Sequence, residues 1–225
     1  MQRTNPFFSC LGACFRTVEK TKKPVVEQHT ETFEEKETLH LALDLWAKSV
    51  YGKEATLRAV AIQRIEYAYD NELRFLDLSG LQLTNLPPVM DKLSAVKILI
   101  LDNNPLRILS EPLPPHLQTL DLNHTLIEQL SDDQVSTLHH LSLRKAPIDS
   151  LPWLPDELES LDISETRVEY LPLALPSHLR LLNISKTPIK SLPSLPGGLR
   201  HLWATECKVA PPKMSSYPRD IDILR

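Results

Sequence analysis

Glycine is scarce in this sequence, five residues against nineteen prolines, and no glycine-rich cradle for a phosphate is present. Three cysteines, Cys10, Cys14 and Cys207, cannot build a disulfide framework and point to a chain that works in a reducing compartment. No apolar run approaches the ~20 residues of a membrane-spanning helix. An excess of basic charge is missing as well. The formal net charge is −4, whereas a nucleic-acid binder needs a basic stripe to displace counterions. Catalytic and metal-binding sets are also lacking. His139-His140 has no carboxylate or cysteine placed beside it by spacing, and Asp132-Asp133 reads as a solvated turn. The expectation is a chain without cofactor, metal, small-molecule substrate or nucleic-acid partner, and not itself an enzyme.

What the chain has in abundance is leucine at fixed intervals. In the stretch Leu158 to Leu179, apolar residues fall at offsets 0, 3, 5, 10 and 13, a pattern that neither a long helix nor a plain alternating strand produces. The same register starts at Leu73, Val96, Leu117, Leu138, Leu158, Leu179 and Leu199, seven copies spaced 20 to 23 residues apart. Offsets 3 and 5 are Leu76/Leu78, Leu99/Leu101, Leu120/Leu122, Leu141/Leu143, Leu161/Ile163 and Leu182/Ile184, weakening to Leu202/Ala204 in the last copy. Proline follows the offset-13 leucine at Pro87, Pro152, Pro172 and Pro193, and its fixed φ favours an extended return over a helical one. The spacing predicts a leucine-rich repeat solenoid: short parallel strands joined by extended convex returns, spanning 73–212. Residues 213–225 read as a C-terminal tail.

The open end of a solenoid needs a cap, and residues 31–72 supply two helical patterns. The first places Phe33, Leu39, Leu41, Leu43, Leu45, Trp46 and Val50 on an apolar face, and Tyr51-Gly52-Lys53 ends it. The second, from about Glu54, sets Leu57, Val60, Ala61, Ile65, Ala68 and Tyr69 against a polar side of Arg58, Arg64 and Glu66. Residues 1–30 show no period and carry a net charge of +3. Three readings fit their Pro6-to-Phe15 knot: a disordered leader, membrane attachment by acylation of Cys10 or Cys14 beside Arg16, Lys20, Lys22 and Lys23, or a lipoprotein signal ending in Leu11-Gly12-Ala13-Cys14.

The junction between helices and repeats carries a family resemblance. A Trp46-bearing helix precedes the pattern Arg58, Ala61, Arg64, Ile65, and then comes the run Leu76-Asp77-Leu78-Ser79-Gly80-Leu81-Gln82-Leu83-Thr84-Asn85-Leu86-Pro87. Together with Leu192 to Leu202, LPSLPGGLRHL, these resemble the bacterial type III secreted leucine-rich repeat effectors that include YopM and the IpaH-like ubiquitin ligases, over roughly residues 40–212. That family usually has asparagine at offset 8. Here only Asn104 fills it, the other copies holding Leu81, Thr125, Ala146, Thr166, Thr187 and Cys207. Its ligase members continue into a helical domain whose Cys is followed two residues later by Asp. Cys10, Cys14 and Cys207 are followed at that spacing by Gly12, Arg16 and Val209.

Strand alternation sends offsets 3 and 5 inward, leaving offsets 2, 4 and 6 on the concave face with offset 7 at its edge. The candidate partner-binding residues there are Asp77, Ile98, Ile100, Asp102, Asp121, His140, Arg144, Lys145, Asp162, Glu165, Asn183, Lys186, Trp203 and Glu206, set in an acidic, hydroxyl- and amide-rich field with a basic spot at Arg144 and Lys145. The resemblance implies a non-enzymatic scaffold that reaches the host cytoplasm and engages a host protein there. Two alternatives stand beside it: the substrate-recognition half of a truncated IpaH-like ligase, and a bacterial surface lipoprotein or adhesion module.

Overall fold

The computed structural model describes residues 33–207 and 222–224. Cys10, Cys14 and the rest of the leader lie outside the described residues, as do most of the tail and the end of the seventh repeat. The chain separates into two compact units, Met1–Lys36 and Glu37–Arg225, and of the first only 33–36 is described, as the opening turn of a helix.

Two helices come first: α1, Phe33–Lys48, and α2, Lys53–Asp70. Gly52 separates them with φ of +68°, a left-handed angle that glycine reaches without a Cβ penalty. The apolar face of α1 is narrower than its composition suggests. Leu39, Leu43 and Trp46 are buried at steps of four and three, whereas Leu41 and Leu45 point roughly 180° away and stay exposed. In α2 the buried stripe is Arg58, Ala61, Ile65 and Ala68, so Arg58 lies within the core side and not on the polar side where its charge would put it. The residue is 1% exposed. It donates to the Trp46 carbonyl at 2.7 Å, Ser49 Oγ at 2.8 Å, Asn85 Oδ1 at 2.7 Å and Glu54 Oε1 at 3.2 Å, and it lies 4.4 Å over the Trp46 ring. One side chain thus ties α1, α2 and the first convex return together. Arg64 extends the clamp by donating to the Asp77 carbonyl at 2.8 Å.

The strands follow at the expected places: β1 Phe75–Asp77, β2 Ile98–Ile100, β3 Thr119–Asp121, β4 His140–Ser142, β5 Ser160–Asp162, β6 Leu181–Asn183 and β7 His201–Trp203. An eighth, β8 Asp222–Leu224, comes from the stretch read as tail. All pair in parallel and in chain order, like offset beside like offset, as in Leu120↔Leu141 and Leu161↔Leu182. Among the described residues, short helical turns interrupt two returns, a 3₁₀ turn at Met90–Lys92 and α3 at Asp132–Val135. The leucines at offsets 3, 5 and 10 are closed to solvent and form one continuous core with those of their neighbours.

Each of the strands β1 to β7 leaves the sheet through a left-handed residue at offset 7. Gly80, Asn103, His124, Lys145, Glu165, Lys186 and Glu206 all have φ between +53° and +67°. Six of the seven are not glycine, and that angle costs roughly 1 kcal/mol for a side chain with a Cβ. The ladder offsets this cost, because the offset-7 N–H still donates to the offset-6 carbonyl of the next repeat, His124 to Arg144 at 2.8 Å and Glu165 to Ser185 at 2.9 Å.

Offset 8 closes the turn beneath. Asn104 donates to the Leu78 and Leu101 carbonyls and accepts from the Leu83 N–H, whereas Thr125, Thr166 and Thr187 each donate one bond to the carbonyl three residues back. Ala146 has no such group, and its own N–H reaches the Leu143 carbonyl at 2.9 Å. Cys207 takes the same slot, its thiol bonded to the Ile184 carbonyl and 3.6 Å from the Thr187 hydroxyl, in the place of a packing residue.

Candidate protein-binding face

Because the strands are in register, offsets 2 and 4 form two parallel rows across the concave sheet. One row runs Phe75, Ile98, Thr119, His140, Ser160, Leu181, His201. The other runs Asp77, Ile100, Asp121, Ser142, Asp162, Asn183, Trp203. The structure therefore brings the sequence-derived candidates onto one surface. It does not make them equally reachable.

Asp121 and Asp162 are 4% and 0% exposed, although they sit on the open face of the sheet. Their carboxylates are engaged at home. Asp121 Oδ1 accepts the Asn123 N–H at 2.9 Å, and Asp162 accepts the Ser164 N–H at 2.9 Å and the Asn183 side-chain amide at 3.2 Å. Asp77 with Ser79 and Asn183 with Ser185 repeat the motif. An acid or amide at offset 4 is thus an Asx turn that ends the strand before the left-handed residue. The acidic field is first of all a folding device.

It has an electrostatic consequence. Burial, reinforced by the charges of Asp102, Asp162 and Asp77, raises the Asp121 carboxyl to about 7 against the opposing Asn123 hydrogen bond. His140, half-buried between Thr119 and Ser160, is pushed down by desolvation, which the Glu159 charge only partly opposes. Its Nδ1 and the neighbouring Ser160 Oγ have no hydrogen-bond partner among the described residues.

The charged spot is an internally paired network. Arg144 donates to Glu165 Oε1 through Nε at 3.0 Å and through a terminal nitrogen at 2.7 Å, and Lys145 Nζ is 3.9 Å from Oε2. Burial alone would raise Glu165, but the Arg144 hydrogen bond and the Arg144, Lys145 and Lys186 charges hold it below its ordinary value. Lys186 approaches Glu206 at 3.8 Å, and Asp102 holds His124 at 3.0 Å. Phe75, Ile98 and Ile100 leave apolar surface at the capped end, and Trp203 stacks on His201 at 5.5 Å near the other. Sequence reasoning did not single out Asn123, whose side-chain oxygen accepts both the Ser142 hydroxyl and the Arg144 N–H at 2.7 Å. Its signal was there: most other copies hold serine, threonine or aspartate at offset 6.

No protein-family model and no curated protein matches the sequence. Solved structures do. YopM from Yersinia enterocolitica WA-314 matches with a TM-score of 0.63 and 22% identity over 84% of this chain, and YopM from Yersinia pestis, a leucine-rich effector protein, with 0.63 and 25% over 75%. This chain spans 45% and 53% of those two YopM chains. The leucine-rich repeat domain of a Shigella effector gives a TM-score of 0.67 at 21% identity, covering 80% of this chain and 87% of that one. The leucine-rich repeat domain of the type III effector XopL gives 0.58 at 18%, covering 83% and 94%. The chain is a leucine-rich repeat solenoid with a helical cap, and its fold is that of the repeat domains of bacterial type III effectors.

Proposed function

We propose that this protein is a non-enzymatic scaffold, delivered into a host cell by a type III secretion system, that engages a host protein through its concave face. The observation that carries this reading is the likeness to effector repeat domains over most of the described chain. Two features of the face support it. Aromatic and aliphatic side chains, Phe75, Ile98 and Ile100, leave apolar surface where a concave strand would ordinarily be polar. Between them and Trp203 lie charged groups already held in fixed positions by their neighbours, so a partner meets a pre-organised surface.

The test is site-specific photo-crosslinking in host cytosol, with benzophenone side chains replacing Ile98 or Asn183 on the concave face and Arg107 or Glu128 on the convex one. The proposal expects one discrete adduct from the two concave positions. Adducts from the convex positions alone, or from none of the four, would reject it.

A further inference from the structure

The convex returns of the fourth and fifth repeats carry a second surface. Trp153 and Leu173 occupy the same repeat position one coil apart and are 61% and 96% exposed, and Tyr170, 63% exposed, stands between them in sequence. Trp153 and Tyr170, with Pro152 and Pro172, line a groove of about 420 Å³ that runs from Asp149 to Ala174, and Leu173 stands in solvent at its rim, between the lining residues Pro172 and Ala174. Such a cluster of large apolar side chains on one side of a soluble chain marks a contact surface. It lies on the opposite side of the coil from the strand face.

The aromatic rim of the groove has few backbone donors to offer. Pro152 and Pro172 have no N–H, the Trp153 N–H is given to Asp132 Oδ1, and Ala174 is bridged in parallel to Ser194. An added strand would find no ladder, so an occupant must be held by side-chain contacts. Polyproline II segments are extended, have no internal hydrogen bonds and dock on aromatic-lined grooves at low entropic cost.

The charged groups on the Trp153 side of the groove are acidic. Asp149 lines it, and Asp132 sits under Trp153, its Oδ1 accepting the Trp153 N–H at 2.8 Å, with Asp133 next in sequence. None of the three has an ion-pair partner among the described residues. At the other end a cation already rests on an aromatic: the Lys190 ammonium lies 5.2 Å from the Tyr170 ring centre and is held by Glu169. We propose that this groove binds a proline-rich segment flanked by arginine or lysine, its prolines against Trp153, Tyr170 and Leu173 and its cations against Asp132 and Asp149.

The probe is a fluorescein-labelled peptide, Arg-Pro-Pro-Leu-Pro-Pro-Leu-Pro-Arg, titrated against the full chain by polarisation. We expect a Kd on the order of 10–100 μM, which is the range for a small open interface. Trp153→Ala and Leu173→Ala should each weaken binding roughly tenfold, the latter without any effect on folding because its side chain is almost wholly in solvent. Asp149→Asn should weaken it about threefold and flatten its salt dependence. A peptide with glutamates in place of the arginines should bind far less, and Glu37→Ala, an exposed position on α1, should leave the peptide's affinity unchanged.

Absence of binding up to about 1 mM, or binding indifferent to Trp153 and Leu173, overturns the proposal. Equal binding of the glutamate peptide does so as well. A concentration-dependent dimer that Leu173→Ala dissolves would show a second copy of this chain in the groove, which also overturns it.

Discussion

Asp121 gives the sharpest quantitative handle on the concave sheet. Its carboxyl is 4% exposed and stands at about 7 against an ordinary value of 3.8, raised first by burial and then by the charges of Asp102, Asp162 and Asp77. Between roughly pH 4 and pH 7 the folded chain therefore holds a proton that the unfolded chain has released. The Asp121 contribution to stability falls as pH rises through that window, and above about pH 7 it is a constant penalty. A displacement of about three pKa units corresponds to on the order of 2–4 kcal/mol. Asp121→Asn removes the charge but keeps an oxygen to accept the Asn123 N–H, so the Asx turn survives. Urea melts at pH 4, 6, 7 and 8 should show the two proteins nearly equal at pH 4. The variant should then pull ahead steadily, by on the order of 2–4 kcal/mol at pH 8. Titration of groups that do not interact with Asp121 is common to both proteins and cancels in the difference. Parallel pH profiles, or a variant less stable at pH 8, would refute the reasoning that burial raises this carboxyl.

Three further substitutions test separate parts of the account. Arg58→Met keeps the volume but deletes the clamp between Trp46, Ser49 and Asn85, and thermal melting should show a loss of ~3–5 kcal/mol. An unchanged melt would mean the cap does not depend on it. Leu161→Ala opens a cavity in the middle coil, where the leucine is fully buried, and should cost ~2–5 kcal/mol by urea denaturation. A loss below about 1 kcal/mol would contradict a continuous core. Lys186→Gly relieves a left-handed side chain at φ of +58° and loses only a solvent-exposed ion pair, so the melting temperature should rise, by about 0.5–1 kcal/mol in stability. A fall would show that the Lys186 contacts outweigh the backbone strain.

The repeat was legible because its signal is redundant: each leucine slot is stated seven times, and one weak copy cannot erase the frame. The concave face followed from that frame by alternation alone. Singular features were harder. Arg58 looks like a surface residue in a helical wheel, and only the Trp46 carbonyl, Ser49 and Asn85 converging on it from three segments make its burial favourable. Leu41 and Leu45 read as core because they are leucines, yet the 100° step of the helix turns them away from Leu39 and Leu43. The acids of offset 4 looked like a field for a partner, whereas Asp121 and Asp162 spend their oxygens on the backbone two residues ahead. Strand β8 carries no leucine repeat, and its pairing comes from an open ladder on β7 that any extended segment within reach can complete.

The measurement closest to the central claim is delivery. The full chain, fused to an adenylate cyclase reporter that is active only in host cytosol, would be expressed in bacteria with and without a working type III apparatus. The account predicts a cyclic AMP signal in host cells that disappears when the apparatus is disabled. A chain that stays in the bacterium, or that leaves it equally well without the apparatus, would contradict the effector assignment.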